Sequence, residues 1–155
     1  MSENTNTMKA WQLHAFGLDN LKLGSIPIPV VKKNEILIKV GAVSLNFRDK
    51  AILDGIYEPD LVPEKLIPVS DTVGTIVQVG ADVVRFKLGD RVISHLYSHW
   101  IDGVPSPDEP AHCLGMPNPG GLAEYMILEA DSAVLAPESL TDEEASTLPI
   151  AALTA

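Results

Sequence analysis

Short apolar runs, broken by Gly, Pro, Asn and Asp, recur along most of this chain. Residues 8–15 (MKAWQLHA) and 21–28 (LKLGSIPI) flank a Phe-Gly-Leu-Asp-Asn turn and predict a β-hairpin. Pro27 and Pro29 then force an extended exit. Residues 35–45 (EILIKVGAVSL) are apolar at consecutive positions, the pattern of a strand buried on both faces. Asn46 predicts the N-cap of a short helix over 47–53, with Asp49 at its third position and Gly55 just past its end. Residues 57–68 carry three prolines and several charges and read as loop. The alternation in 71–80 predicts a strand with Val73, Val77 and Val79 on one face. A Gly-Asp turn leads into a strand within 87–96, and two short strands surround Glu129–Ser132 within 121–137. The expected fold is therefore mainly β with short helices, as a partly open antiparallel barrel or sandwich.

After residue 140 the pattern changes period. Thr141-Asp-Glu-Glu144 is a capping-box signature and predicts a helix start. Pro149 is expected to interrupt that helix and to begin a second one, PIAALTA, which shows no end signal. That ending suggests a piece of a longer protein. Three segments are expected: a loose tail at 1–7, a β domain at 8–140 and a helical connector at 141–155.

Composition narrows the function. Apolar residues make up 46% of the chain and charged residues 21%, an ordinary globular balance. A net charge of −10 opposes binding to nucleic acid or to an anionic membrane. No uncharged run nears the roughly 20 residues needed to cross a bilayer. Met1–Met8 has neither the basic nor the apolar part of a secretory signal. A single cysteine, Cys113, excludes an internal disulfide and fits a reducing compartment. The expectation is a cytoplasmic protein.

Five segments, in order, carry a resemblance: EILIKVGAVSLNFRD (35–49), DGIY (54–57), PVSDTVGTIVQVGADVVRFKLGDRV (68–92), GGLAEYMIL (120–128) and LPIAALTA (148–155). Together they resemble the N-terminal part of the medium-chain dehydrogenase/reductase superfamily, on its zinc-independent quinone-reductase-like and alcohol-dehydrogenase-like branch. The resemblance implies a GroES-like partly open β-barrel acting as the substrate-side catalytic domain. It also implies a following Rossmann domain that binds NADP or NAD, and a returning segment that completes the barrel. The expected reaction is hydride transfer to or from a carbonyl, enone, quinone or alcohol. None of the eleven glycines falls into G-x-G-x-x-G, so the pyrophosphate fingerprint lies outside this chain, and the chain alone is expected to be inactive.

In zinc-dependent relatives three ligands hold the catalytic ion. The resemblance aligns them with Asn46, with Ser70 of the Val69-Ser70-Asp71 run, and with Ile150. An amide, a hydroxyl and a hydrocarbon do not make a zinc site, and one cysteine cannot supply the four-cysteine structural site. No metal is expected. His95, His99, His112 and Cys113 leave a zinc site of another kind conceivable beside a plain role as rim residues.

Without zinc, a developing oxyanion needs hydrogen-bond donors. Tyr57 and Asn46 are the catalytic candidates: a phenol can donate a hydrogen bond or a proton, an amide only a hydrogen bond. Structural roles compete, an aromatic anchor for the loop at Tyr57 and helix capping at Asn46. The resemblance places Phe47, Arg48 and Thr154 beside the cofactor. Arg48 could instead pair with Asp49 or Asp54, and Thr154 could bond back to its own helix. Asp71 is expected in an ion pair with Arg48 or Arg91. Trp100, Ile101, Leu114 and Met116 could form one wall of a substrate pocket. Leu148, Ile150 and Leu153 are expected to pair with another copy or to be poorly ordered. The partners expected are a small carbonyl, quinone or alcohol and a second copy in a homo-oligomer. Two other functions stay open, a non-catalytic co-chaperonin-like module and a zinc alcohol dehydrogenase with altered ligands.

Overall fold

The computed structural model describes residues 6–155. Strand β1 (Thr7–Leu13) pairs antiparallel with β2 (Leu21–Pro27), from Thr7 opposite Pro27 to Leu13 opposite Leu21. The expected tail at 1–7 is corrected at its end. Thr7 belongs to the strand and the Asn6 carbonyl accepts from Ile28 N–H (3.0 Å), while residues 1–5 lie outside the described residues. The second sheet has the order β6-β3-β4-β5-β7, from β3 (Glu35–Ser44), β4 (Asp71–Val79), β5 (Arg91–Ile93), β6 (Tyr125–Glu129) and β7 (Val134–Leu135). All its ladders are antiparallel. Single bridges, Ala10 to Ala123 and Leu13 to Leu66, join the hairpin to the rest, and the sheets do not close into a barrel. The fold is the mainly β, open GroES-like architecture.

Helix α1 (Phe47–Leu53) has the expected bounds. Asp49 Oδ2 accepts Asn46 N–H at 2.8 Å, tying the third position back to the N-cap as the spacing required. Ile52 and Ala51 turn inward with Leu13, Leu66 and Met116 nearby. The main core lies on the other side, where Ile36, Ile38, Ile76, Val92, Met126 and Leu128 pack. A third cluster, Val73 with Ala136 and Ala145, seals the sheet against α2 (Asp142–Ser146).

Two bulges shape the central strands. Ile38 faces Ile76 and Leu37 faces Gln78, so Val77 is an extra residue without a partner in β3. The single face expected for Val73, Val77 and Val79 therefore breaks up. Val73 is buried under α2, Val77 is 41% exposed, and Val79 joins the opposite core. The second bulge falls at Gly41, where α2 comes so close that a Cβ would stand 2.1 Å from Asp142 Oδ2. Arg91 Nε donates to Asp142 Oδ1 (2.9 Å) and its Nη2 to Leu140 O (2.9 Å), clamping the start of α2 to β5.

The connector also departs from expectation. Thr141 caps α2 with Glu144 as a capping box, but Pro149 does not separate two helices. The backbone widens into a π turn over Leu148–Ala152, with Ala152 N–H bonded to Thr147 O (3.1 Å). Ala145 and Ser146 are buried and Leu148 and Ile150 half-buried against the chain's own sheet, so only Leu153, at 80% exposure, keeps the expected unpartnered apolar side chain. The proposed wall of Trp100, Ile101, Leu114 and Met116 is not one surface. Leu114 and Met116 are buried in different clusters, and Ile101 is exposed. Among the described residues no helix is long and apolar enough to cross a membrane.

Candidate functional site

The most buried ionisable group is Asp71, the fully buried first residue of β4. Its Oδ1 accepts Ser70 Oγ–H at 3.0 Å and its Oδ2 accepts Ile150 N–H at 3.1 Å. No ion pair to Arg48 or Arg91 forms. Arg91 is committed to Asp142, and Arg48 donates to the carbonyls of Leu114 (3.2 Å) and Met116 (2.8 Å). Burial raises the Asp71 pKa above its ordinary value, against the lowering influence of Asn46, Ser70, the Ile150 amide and Arg48. Asp49 is shifted the same way, again mainly by burial, with Asp71 adding to the rise.

Asn46 stands beside this carboxylate and favours its charged form. Asn46 Nδ2 and Asp49 Oδ1 are buried atoms without a well-formed hydrogen bond, although the Asp71 carboxylate lies close enough to Asn46 for the two to interact. Unpaired buried donors are uncommon in folded chains, and a ligand is one of the things that explains them. The backbone under them is unusual as well. Val69 has φ of 76°, in the left-handed region that a β-branched residue rarely adopts. Its carbonyl accepts Gly121 N–H at 2.7 Å, and a Cβ on Gly120 would lie 2.2 Å from the same oxygen. Held strain of this kind collects at functional sites.

Tyr57 lies on a different part of α1's surroundings. It is 39% exposed, and the Arg48 guanidinium sits over its ring at 5.4 Å from the centroid. Tyr97 lies in the same electrostatic neighbourhood. Burial raises its pKa, nearby Cys113 and Tyr57 add to the rise, and Arg48 opposes it. Tyr97 packs edge-on against Trp100, with centroids 5.7 Å apart. Sequence reasoning missed Tyr97, and no local pattern in 93–98 marks it as a neighbour of Tyr57. An apolar cavity of about 630 Å³ lies against another side of α1, lined by Trp11, Leu21, Leu45, Asn46, Leu53 and Val69. Tyr57 is not among its lining residues. The two catalytic candidates thus occupy separate settings, Asn46 on a buried floor and Tyr57 on an open rim.

The cofactor candidates divide similarly. Phe47 is 78% exposed, a large apolar ring with nothing covering it. Thr154 Oγ1 donates to Ile150 O (2.7 Å), the backbone bond that competes with a ligand role. Arg48 has its Nη1 and Nη2 donors on the carbonyls of Leu114 and Met116. The positions that the resemblance aligns with zinc ligands come together, since Ser70 and Ile150 both bond to Asp71 and Asn46 adjoins it. They do not fit the ion, because the Ser70 hydroxyl and both Asp71 oxygens are engaged and Ile150 offers a hydrocarbon. His99 and His112 stack at 3.8 Å rather than converging on a common point. Among the described residues no three His, Cys, Asp or Glu side chains group to hold a metal.

An open GroES-like fold, with a polar floor where a β-sheet meets the start of a connector, defines a class that comparison with known proteins identifies. Residues 32–138 match the alcohol dehydrogenase GroES-like domain, and the chain belongs to that family within the medium-chain dehydrogenase/reductases. Over 140 residues it is 38% identical to the zinc-type alcohol dehydrogenase-like protein of Schizosaccharomyces pombe, spanning 90% of this chain and 40% of that one. Over 152 residues it is 37% identical to the chloroplastic quinone-oxidoreductase QR1 of Triphysaria versicolor, spanning 96% of this chain and 40% of that one. The solved quinone oxidoreductase of Coxiella burnetii superposes with a TM-score of 0.75 at 31% identity, over 96% of this chain and 43% of that one. The chain therefore spans about two fifths of the length of these curated relatives.

Proposed function

We propose that this chain is the substrate-side domain of an NAD(P)H-dependent oxidoreductase that reduces a quinone or other conjugated carbonyl without a catalytic zinc. The observation that carries the reading is the Asn46 amide, which lines the apolar cavity beside the Asp71 carboxylate at the position aligned with a metal ligand, its Nδ2 buried without a well-formed hydrogen bond. A carbonyl oxygen gaining negative charge is the acceptor that such a donor suits. The cofactor, held mainly by a part of the protein outside these residues, supplies the hydride. Phe47 presents its exposed ring to the nicotinamide side, with Thr154 and Arg48 at the margin. Asn46 hydrogen-bonds the substrate oxygen, and Tyr57 donates to it from the rim, its ring steadied by Arg48.

The quinone-oxidoreductase relative supports this substrate class, whereas the zinc-type name of the other relative favours an ion, so the experiment has two arms. The protein that carries this chain together with its nucleotide-binding part is assayed for NADPH oxidation with quinones and enones, and its metal content is measured. Turnover that survives removal of all zinc is expected. No turnover with any conjugated acceptor, or activity lost with zinc and restored by it, would overturn the proposal. The 155-residue chain alone is expected to give no turnover.

A further inference from the structure

Pro149 has no N–H, and the π turn Leu148–Ala152 that contains it leaves the Ile150 N–H outside the helical ladder. That amide meets Asp71 Oδ2 at 3.1 Å, across 79 residues of sequence. The carbonyl of the same Ile150 accepts the Thr154 hydroxyl at 2.7 Å. On its other side Asp71 takes the Ser70 hydroxyl and adjoins the Asn46 side chain. One fully buried carboxylate thus lies between the floor of the candidate site and the turn that carries Thr154. A plain core position would not hold a carboxylate, because burying the group is costly unless its oxygens are bonded. Both oxygens are bonded here, one to each half of the arrangement.

We propose that Asp71 is a positioning residue, a latch that fixes the Leu148–Ala152 turn against Asn46 and so sets how the connector presents Thr154 toward the cofactor. Its catalytic part rests on the function proposed above; the latch itself does not. Asp71 touches no reacting atom in this scheme and acts through Asn46 and Ile150. A hydrogen bond to a buried carboxylate is stronger than one between neutral groups, so the latch should resist local opening more than its single turn would alone.

The test reads amide hydrogen exchange, residue by residue, in the 155-residue protein and its variants. In the unmodified protein the Ile150 amide should exchange far more slowly than those of Ala151 and Ala155. Exchange at Ile150 as fast as at Ala155 would overturn the latch without any variant. In Asp71→Asn, Ile150 should exchange on the order of ten- to a hundred-fold faster, with Ile38 and Val92 in the sheet unchanged. Equal acceleration in the sheet would show a general structural role and defeat the proposal. Ser70→Ala, which spares the Ile150 bond, should keep Ile150 protected, and loss of that protection would also count against it. In the active enzyme Asp71→Asn should lower kcat with KM for the quinone unchanged, and Asp71→Glu should restore part of the loss. An unchanged kcat overturns the positioning role, whereas absence of turnover in the unmodified enzyme overturns the proposed function and leaves the exchange result standing.

Discussion

Ser70 and Asp71 are buried, with Asn46 and Ile150 half-buried against them, while Tyr57, Glu58 and residues 101–108 stand in solvent. On the floor, backbone geometry is fixed from several sides at once. Val69 is held at positive φ by Gly121, and Gly115 and Gly120 let neighbouring chain pass within Cβ distance. On the rim, single contacts do the holding, such as Trp100 Nε1 to Gly103 O at 3.0 Å and the Arg48 guanidinium over Tyr57. The floor is a place where a substitution changes the fold. The rim is a place where a substitution is expected to leave the fold alone. That division suits a site whose hydrogen-bond geometry must be fixed while its substrate wall varies.

The same change made in both regions should give the largest contrast. Gly120→Ala would put a methyl 2.2 Å from Val69 O and 2.4 Å from Pro68 O, both backbone atoms. A loss of about 3 kcal/mol or more is expected, a large share of the roughly 5–15 kcal/mol that holds a domain together. Gly103→Ala meets nothing within 4 Å and strains only its own φ of 67°, for about 1 kcal/mol. Urea midpoints compare them, and equal losses would erase the distinction.

On the rim, Tyr57→Phe should lower quinone turnover on the order of 10²–10³-fold while shifting stability by less than about 0.5 kcal/mol. Turnover within a few-fold of the parent would make Tyr57 a wall and leave the donor role to Asn46.

A smaller effect is expected from pH. Asp49 and Asp71 both have folded-state pKa values raised above an ordinary 3.8. The folded chain therefore binds their protons more tightly than the unfolded chain. Their contribution to stability is fully present below about that ordinary value, and it is lost as pH rises through the raised values. Lowering the pH from neutrality reduces general repulsion too, in a chain of net charge −10, so the difference between proteins is the measure. Asp49→Asn should flatten the dependence of the urea midpoint on pH relative to the parent, and parallel curves would show that this carboxyl titrates normally. The least effect belongs to Lys50, the next residue of the same helix, whose pair with Asp54 lies in solvent. Lys50→Ala should cost about 0.5 kcal/mol or less in thermal or urea unfolding.

What could be read from the sequence was what neighbouring residues decide. The hairpin 8–28, the Asn46 cap with Asp49 at its third position, and the Thr141–Glu144 capping box all lie within a few residues, and the structure has each. Val77 was misassigned because a bulge depends on the partner strand as well as on its own period. Arg48 was expected beside the cofactor, with Asp49 or Asp54 as its alternative partner, but its guanidinium donates to carbonyls more than sixty residues away. Tyr97 and the Asp71–Ile150 bond were invisible for the same reason. The resemblance could offer Asn46 and Tyr57 as candidates, yet only coordinates show that Asn46 Nδ2 is covered while Tyr57 stands open.

The distances in sequence have a kinetic consequence. Asp71 and Ile150 are 79 residues apart, and Arg48 reaches Leu114 and Met116 across 66 and 68. Contacts that close long loops tend to form after local ones, because the entropy of closure is lost before they return anything. The hairpin and the α1 cap can form early, whereas the floor is assembled only when four remote segments have arrived. Such a region is expected to be among the last to fold. A molecule that needs floor and rim together therefore binds only the fully folded population, and each occupied site draws the rest of the ensemble toward that state.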